Sequence, residues 1–213
     1  MLKVYGFSRV NPFAHGNTRD LRVLWALEEM GMPYEIVGMD HPQGDLESES
    51  FGSVNPFRQI PAIDDDGVVV TESGAILLYL ARKSGKLIPA DLAGEAQVLR
   101  WSVAALSSVE TPVLSMWFVG LSGGKGSQPH DALRSWSALR LQQLDGWLRN
   151  RAFVATDEFT VADILMTHVL AAASTAAELL EPHANVRSYL ARCMARPAWK
   201  RTLDAYEARV EAG

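Results

Sequence analysis

The stretch from Asn55 to Ser73, NPFRQIPAIDDDGVVVTES, restricts what this chain can fold into more than any other. Pro61 fixes its own φ, removes an N–H and drives Ile60 towards extended geometry, so the Gln59–Ile60 backbone is presented at a bend and not zipped into a ladder. An X-Pro bond is also the one common place for a cis peptide. Asp66-Gly67 between two apolar runs predicts a tight hairpin, with glycine supplying positive φ. Beyond it Ile76, Leu77 and Leu80 recur at helical spacing, which predicts a helix with Ser73 as its N-cap. A helix start offering N–H groups and a serine hydroxyl, with Glu72 alongside, suits both ends of an amino-acid head group: carboxylate to N–H, ammonium to Glu72.

Before this stretch, Leu2 to Phe7 predicts a strand and Leu21 to Met30 a helix, stopped by Gly31 and Pro33. The loop between them, Ser8 to Thr18, exceeds the about two to six residues usual for a βα connection, and loops of that length tend to be functional. Tyr34 to Met39 predicts a second strand, in a right-handed parallel crossover with the first. Residues 1–83 therefore read as a β-α-β-(loop or helix)-β-β-α domain with a mixed sheet, and residues 84–93 as a linker.

From 94 to 213 no strand-like alternation recurs, and three- and four-residue spacing predicts an all-helical domain. Its first helix runs from Gly94 to Phe118, bent at Pro112. A second spans Ala132 to Asn150. Thr160 and Asp163 form a capping box at the head of a core-directed helix. Two further helices, Val186–Ala195 and Trp199–Arg209, complete the domain.

The run Asn55-Pro56-Phe57-Arg58-Gln59-Ile60-Pro61-Ala62-Ile63, followed by Glu72-Ser73, resembles the glutathione transferase superfamily. That family's thioredoxin-like domain carries an NPxGxVPxL-type loop, a cis-proline and a Glu/Gln-Ser pair before the third helix. Arg58 stands where the family often has glycine, and Gln59 where it often has lysine. Arg22 to Glu29, RVLWALEE, is similar to a helix of bacterial members, and Thr160-Val161-Ala162-Asp163 to a capping motif of the family's C-terminal domain.

The resemblance implies an α/β thioredoxin-like N-terminal domain plus an all-α C-terminal domain, a homodimer, and detoxification by conjugation of glutathione to a small hydrophobic electrophile. Glutathione, as co-substrate, would be held by Gln59, Ile60, Pro61, Glu72 and Ser73. The electrophile would lie near Met116, Trp117 and His15. The thiol-activating group in the family is a Tyr, Ser or Cys near the first strand-to-helix turn. Because no cysteine precedes Cys193, the cysteine-dependent branch is not expected.

That leaves Tyr5, Ser8, Asn11, Asn17 and Thr18 as donors, since a hydrogen bond to sulfur favours thiolate. The helix register puts Thr18 first, where a Ser often stands, then Ser8, with Asn17 as a sulfur-directed amide. Asn17 and Thr18 are also good N-caps, and either can serve only the helix. Two other outcomes remain open: a non-catalytic binding or scaffold protein on this fold, or another glutathione-dependent reaction such as isomerisation, peroxide reduction or dehalogenation.

Composition narrows the rest. A net charge of −5 with no Lys/Arg cluster argues against nucleic acid. Five scattered histidines lack metal-ligand spacing. With neither a signal-like start nor any run approaching the roughly 20 apolar residues that span a bilayer, a cytoplasmic protein without membrane contact is expected.

Overall fold

A computed structural model of the chain describes residues 1–173 and 177–212; residues 174–176 and 213, within the span expected to be helical domain, lie outside them. Contacts divide the chain into one unit of Met1–Lys86 with Ala195–Gly213, and another of Leu87–Met194.

The first unit contains β1 (Leu2–Val10), α1 (Asp20–Met30), β2 (Glu35–Asp40), α2 (Glu49–Val54), β3 (Ala62–Asp65), β4 (Val68–Thr71) and α3 (Ser73–Ser84). The sheet runs β2-β1-β3-β4, with β1 parallel to β2 and antiparallel to β3, so the expected mixed thioredoxin-like sheet is present. Leu21, Val23, Leu24, Trp25 and Leu27 are all buried, so α1 is covered on every side and not on one face only.

Its outer cover is α10 (Pro197–Arg209), expected from the sequence to close the helical domain. The rings of Trp25 and Trp199 lie 4.8 Å apart, and Arg196 forms a two-pronged bond to Glu29 at 2.6 and 2.8 Å. A planar guanidinium on a carboxylate whose side chain is only 9 % exposed is a strong, directional pair. After α10 the short β5 (Glu211–Ala212) pairs in parallel with Arg9 and Val10, on the edge that β3 leaves after Tyr5. This partner carries β1 past its expected end at Phe7 and shortens the following loop.

One local expectation changes. Ser73 is the first residue of α3 and not its cap; Glu72 is the cap, at φ 67°, and no side chain caps the helix. Arg58 takes φ 52°, a conformation glycine adopts freely, which accounts for glycine at that position in the family pattern. Arginine tolerates it here through hydrogen bonds from its backbone N–H to Asn55 and from its guanidinium to Glu47.

The second unit holds α4 (Leu92–Val103), α5 (Thr111–Val119), α6 (Gln128–Leu148), α7 (Val161–Ala173), α8 (Ala177–Leu180) and α9 (Ala184–Met194). Pro112 does not break the first helix. A π-helical stretch, Ala104–Glu110, widens the turn before it, and the Thr111 hydroxyl returns to the carbonyl of Leu106 five residues back. The helical run Leu92–Gly124 is thereby long and apolar enough, by length and composition, to cross a bilayer.

The capping box forms as expected, and more tightly. Asp163, fully buried, accepts from the Thr160 N–H and hydroxyl, from Val154 N–H and from the Tyr189 hydroxyl, at 2.9 to 3.1 Å.

Candidate functional site

Strand register gathers the predicted binding residues at one end of the first sheet. Tyr5 stands opposite Ala62, and Ala62 opposite Thr71, so Pro61 and Glu72, the next residues out, lie beside one another past the ladder. The β1 chain continues from that same end into the loop bearing Asn17 and Thr18.

The Ile60–Pro61 bond is cis. Ile60 packs its side chain with Met39, Leu46 and Phe51, while its backbone stays outside the β1–β3 ladder, which begins at Ala62. Asn55, 2 % exposed, shapes the whole bend: its amide N–H donates to the Gln59 carbonyl at 2.7 Å, and its amide oxygen accepts from Phe57 N–H at 3.0 Å. The Gln59 side chain is left exposed.

At α3 the hydroxyl of Ser73 accepts a hydrogen bond from Arg22 at 3.1 Å, and both residues are buried. Arg22 rises from the buried part of α1 and brings a cation to the first turn of α3. Glu72 has positive φ and no side chain caps the helix, so the leading N–H groups of α3 have no capping side chain, and Glu72 is exposed beside them. An anion is favoured at the turn and a cation at Glu72.

The candidate donors separate clearly. Ser8 sits at the irregularity in β1 between Phe7 and Arg9, against Gly38 of β2: a Cβ on Gly38 would stand 3.0 Å from that of Ser8. Tyr5 packs on Phe51, and the Asn11 amide lies 3.4 Å from the His41 ring. Thr18 is 6 % exposed, its hydroxyl shared between the Tyr206 hydroxyl, at 3.1 Å, and Asp20. Asn17 is exposed, with no partner for its amide among the described residues. Neither Asn17 nor Thr18 caps α1 through its side chain; Leu21 N–H bonds the Thr18 carbonyl.

Asp20 is fully buried at the start of α1, and burial pushes its carboxyl above the usual carboxylate range. Bonds from Thr18 and from Phe7 N–H, together with the charge of Arg209, oppose that rise. Gly6 leaves room here: a Cβ would stand 3.1 Å from the Asp20 carboxylate, closer than ordinary contact.

His15, expected near the electrophile, is drawn towards α10, its Nε2 3.1 Å from the Val210 carbonyl. In the second unit Met116 is buried and the Trp117 ring stands edge-on to Phe118 at 5.2 Å. A cavity of about 330 Å³ in that unit, lined by Arg149, Arg151 and Arg192 among others, contains none of the predicted residues.

Cys193 is buried, and burial pushes its thiol up to about 11. Against the roughly 8.5 of an ordinary cysteine, this makes its thiolate on the order of a hundredfold scarcer or more. A thiol-reactive disulfide reagent at mildly alkaline pH is expected to label the denatured chain within minutes and the native chain at least about a hundredfold more slowly; equal rates would contradict the burial.

Sequence reasoning missed Arg22, Asp20 and Tyr206. For the first two a signal existed, a charged residue within the buried face of an apolar helix. Tyr206 carried none, since its partners lie nearly the whole chain away.

Comparison with known proteins gives a consistent result. Residues 10–82 match the model of the glutathione S-transferase N-terminal domain, and residues 105–197 that of the C-terminal domain. Glutathione S-transferase theta-2 of Rattus norvegicus is 31 % identical, over 83 % of this chain and 72 % of its own. The disulfide-bond oxidoreductase YghU of Escherichia coli K12 is 33 % identical, over 85 % of this chain and 67 % of its own. A glutathione transferase of Burkholderia graminis, solved with two glutathione molecules per subunit, superposes with a TM-score of 0.83 at 30 % identity, covering 96 % of this chain and 88 % of that one.

Proposed function

Because the chain belongs to the glutathione S-transferase family, we propose that it is a glutathione-dependent enzyme that joins the glutathione thiolate to small apolar electrophiles. One observation carries the reading: the cis Ile60–Pro61 bend and the uncapped start of α3 beside Glu72 lie next to one another at the end of the sheet from which β1 runs on towards the loop bearing the exposed Asn17.

In this reading the γ-glutamyl carboxylate takes the first-turn N–H groups of α3 and the Ser73 hydroxyl, and its ammonium pairs with Glu72. The cysteinyl backbone pairs with Ile60, beside Gln59 and Pro61. The thiol then reaches the loop at Asn17, whose amide N–H donates to sulfur and favours the thiolate. The thiolate attacks the electrophilic carbon, and the leaving group departs with its bonding pair. Asn17 is favoured among the three expected donors because the Thr18 hydroxyl is already engaged and Ser8 packs on β2. A homodimer in the cytoplasm completes the proposal; Phe57, 74 % exposed beside the site, is an apolar group that a second copy would cover.

A second reading is glutathione-dependent disulfide reduction, favoured by the identity with the E. coli oxidoreductase. There glutathione thiolate attacks a disulfide, the released thiol leaves, and a second glutathione resolves the mixed disulfide. The same thiolate site serves both reactions. Calorimetry with glutathione, followed by turnover of a nitroaromatic halide and of a small disulfide, tests the proposal. Binding is expected, and Ser73→Ala is expected to weaken it roughly tenfold or more, as for a lost bond to a charged group. Absence of binding would remove both readings, and disulfide turnover without conjugation would select the second.

A further inference from the structure

The two chain neighbours of Asn17 converge on one oxygen. Gly16 N–H donates to the Tyr206 hydroxyl at 3.4 Å, and the Thr18 hydroxyl stands 3.1 Å from the same atom. His15, one residue earlier, lies edge-on to the Tyr206 ring at 5.3 Å and reaches the Val210 carbonyl. Residues 15, 16 and 18 are thus all fastened to the end of α10, while Asn17 between them stays exposed. Tyr206 is itself fully buried, on a helix anchored to α1 through Trp199 and Arg196. Asn17 itself is held by one hydrogen bond within the loop, its N–H to the Ala14 carbonyl at 3.0 Å, while its two neighbours are the residues that Tyr206 engages.

We infer that Tyr206 is a positioning residue for thiol activation, its hydroxyl holding the Gly16 and Thr18 flanks so that the Asn17 amide points at the glutathione sulfur. The inference rests on the reading of Asn17 as the thiol donor. A phenol fits the role because one oxygen accepts from the Gly16 N–H and still exchanges a hydrogen bond with Thr18, which phenylalanine cannot do. A donor that swings loses thiolate stabilisation without losing the contacts that bind the rest of glutathione, so the defect falls on ionisation and kcat and not on KM.

The test is the titration of the bound glutathione thiol by its ultraviolet thiolate band, with steady-state kinetics, in the full chain. Tyr206→Phe is expected to raise the thiol pKa, lower kcat several-fold to about tenfold and leave the KM for glutathione within about twofold, as for one lost hydrogen bond acting on the ionised state. Thr18→Ser keeps the hydroxyl and is expected to behave as wild type, whereas Thr18→Val reproduces the Tyr206→Phe defect and serves if Tyr206→Phe fails to fold. If Asn17→Ala raises the thiol pKa and both Tyr206→Phe and Thr18→Val leave it unchanged, the inference alone is overturned. If Asn17→Ala leaves it unchanged, the donor reading falls and the inference with it.

Discussion

Asp163→Ala is expected to lower the free energy of unfolding by about 3–5 kcal/mol, a large part of the roughly 5–15 kcal/mol that holds an ordinary domain. The carboxylate lies at the centre of the second unit, with no exposed surface, and collects four donors: two backbone N–H groups and the hydroxyls of Thr160 and Tyr189. Alanine leaves all four without an acceptor. Each buried unsatisfied donor costs about 1–3 kcal/mol, though neighbours in one network do not add fully. Burial also pushes the Asp163 carboxyl above the usual range, so the wild-type site carries its own desolvation cost, which holds the expected loss below a simple sum of four bonds. Asp163→Asn keeps one oxygen but turns an amide NH₂ towards donors, and is expected to fall between the two. Urea unfolding followed by far-ultraviolet circular dichroism measures the difference; a midpoint for Asp163→Ala equal to wild type would contradict the role given to this network.

Asn17→Ala is expected to lower kcat/KM for conjugation about ten- to a hundredfold while stability and affinity for glutathione change little. The magnitude is that of one hydrogen bond to a charged group, about 1.5–3 kcal/mol, expressed only when sulfur is ionised. Stability is spared because the side chain is exposed and makes no bond among the described residues. Thr18→Ala and Ser8→Ala complete the comparison. Thr18→Ala removes a buried bond to Tyr206 and is expected to cost stability as well as activity, whereas Ser8→Ala is expected to leave both near wild type. A full loss in Ser8→Ala with none in Asn17→Ala would reverse the assignment.

What was legible in the sequence was whatever is encoded over short distances. The cis-proline bend, the Asp66-Gly67 turn, the start of α3 and the Thr160–Asp163 box each depend on residues within a few positions, and each stands where the pattern put it, with Ser73 displaced by one. The fate of α10 was not legible, because its amphipathic pattern shows that it buries a face but not against which partner. That choice was made by Trp199 and Arg196 meeting Trp25 and Glu29 of α1. The same distance hid the extension of β1 by β5 and the grip of Tyr206 on the loop. Thr18 ranked first as donor from its register in the helix, and register alone does not report that a hydroxyl is already engaged by a helix some 190 positions on. The strain at Glu72 was likewise unreadable, since positive φ is not a property of glutamate.

The central claim is that the sheet end formed by Ile60–Pro61 and Glu72–Ser73 binds glutathione with its thiol ionised. The most direct test is a pH titration of glutathione bound to the wild-type protein, following the ultraviolet thiolate absorbance. The account predicts a thiol pKa about one to two units below that of an ordinary cysteine, near 8.5. Bound glutathione titrating with the free thiol, or failing to bind at all, would contradict it.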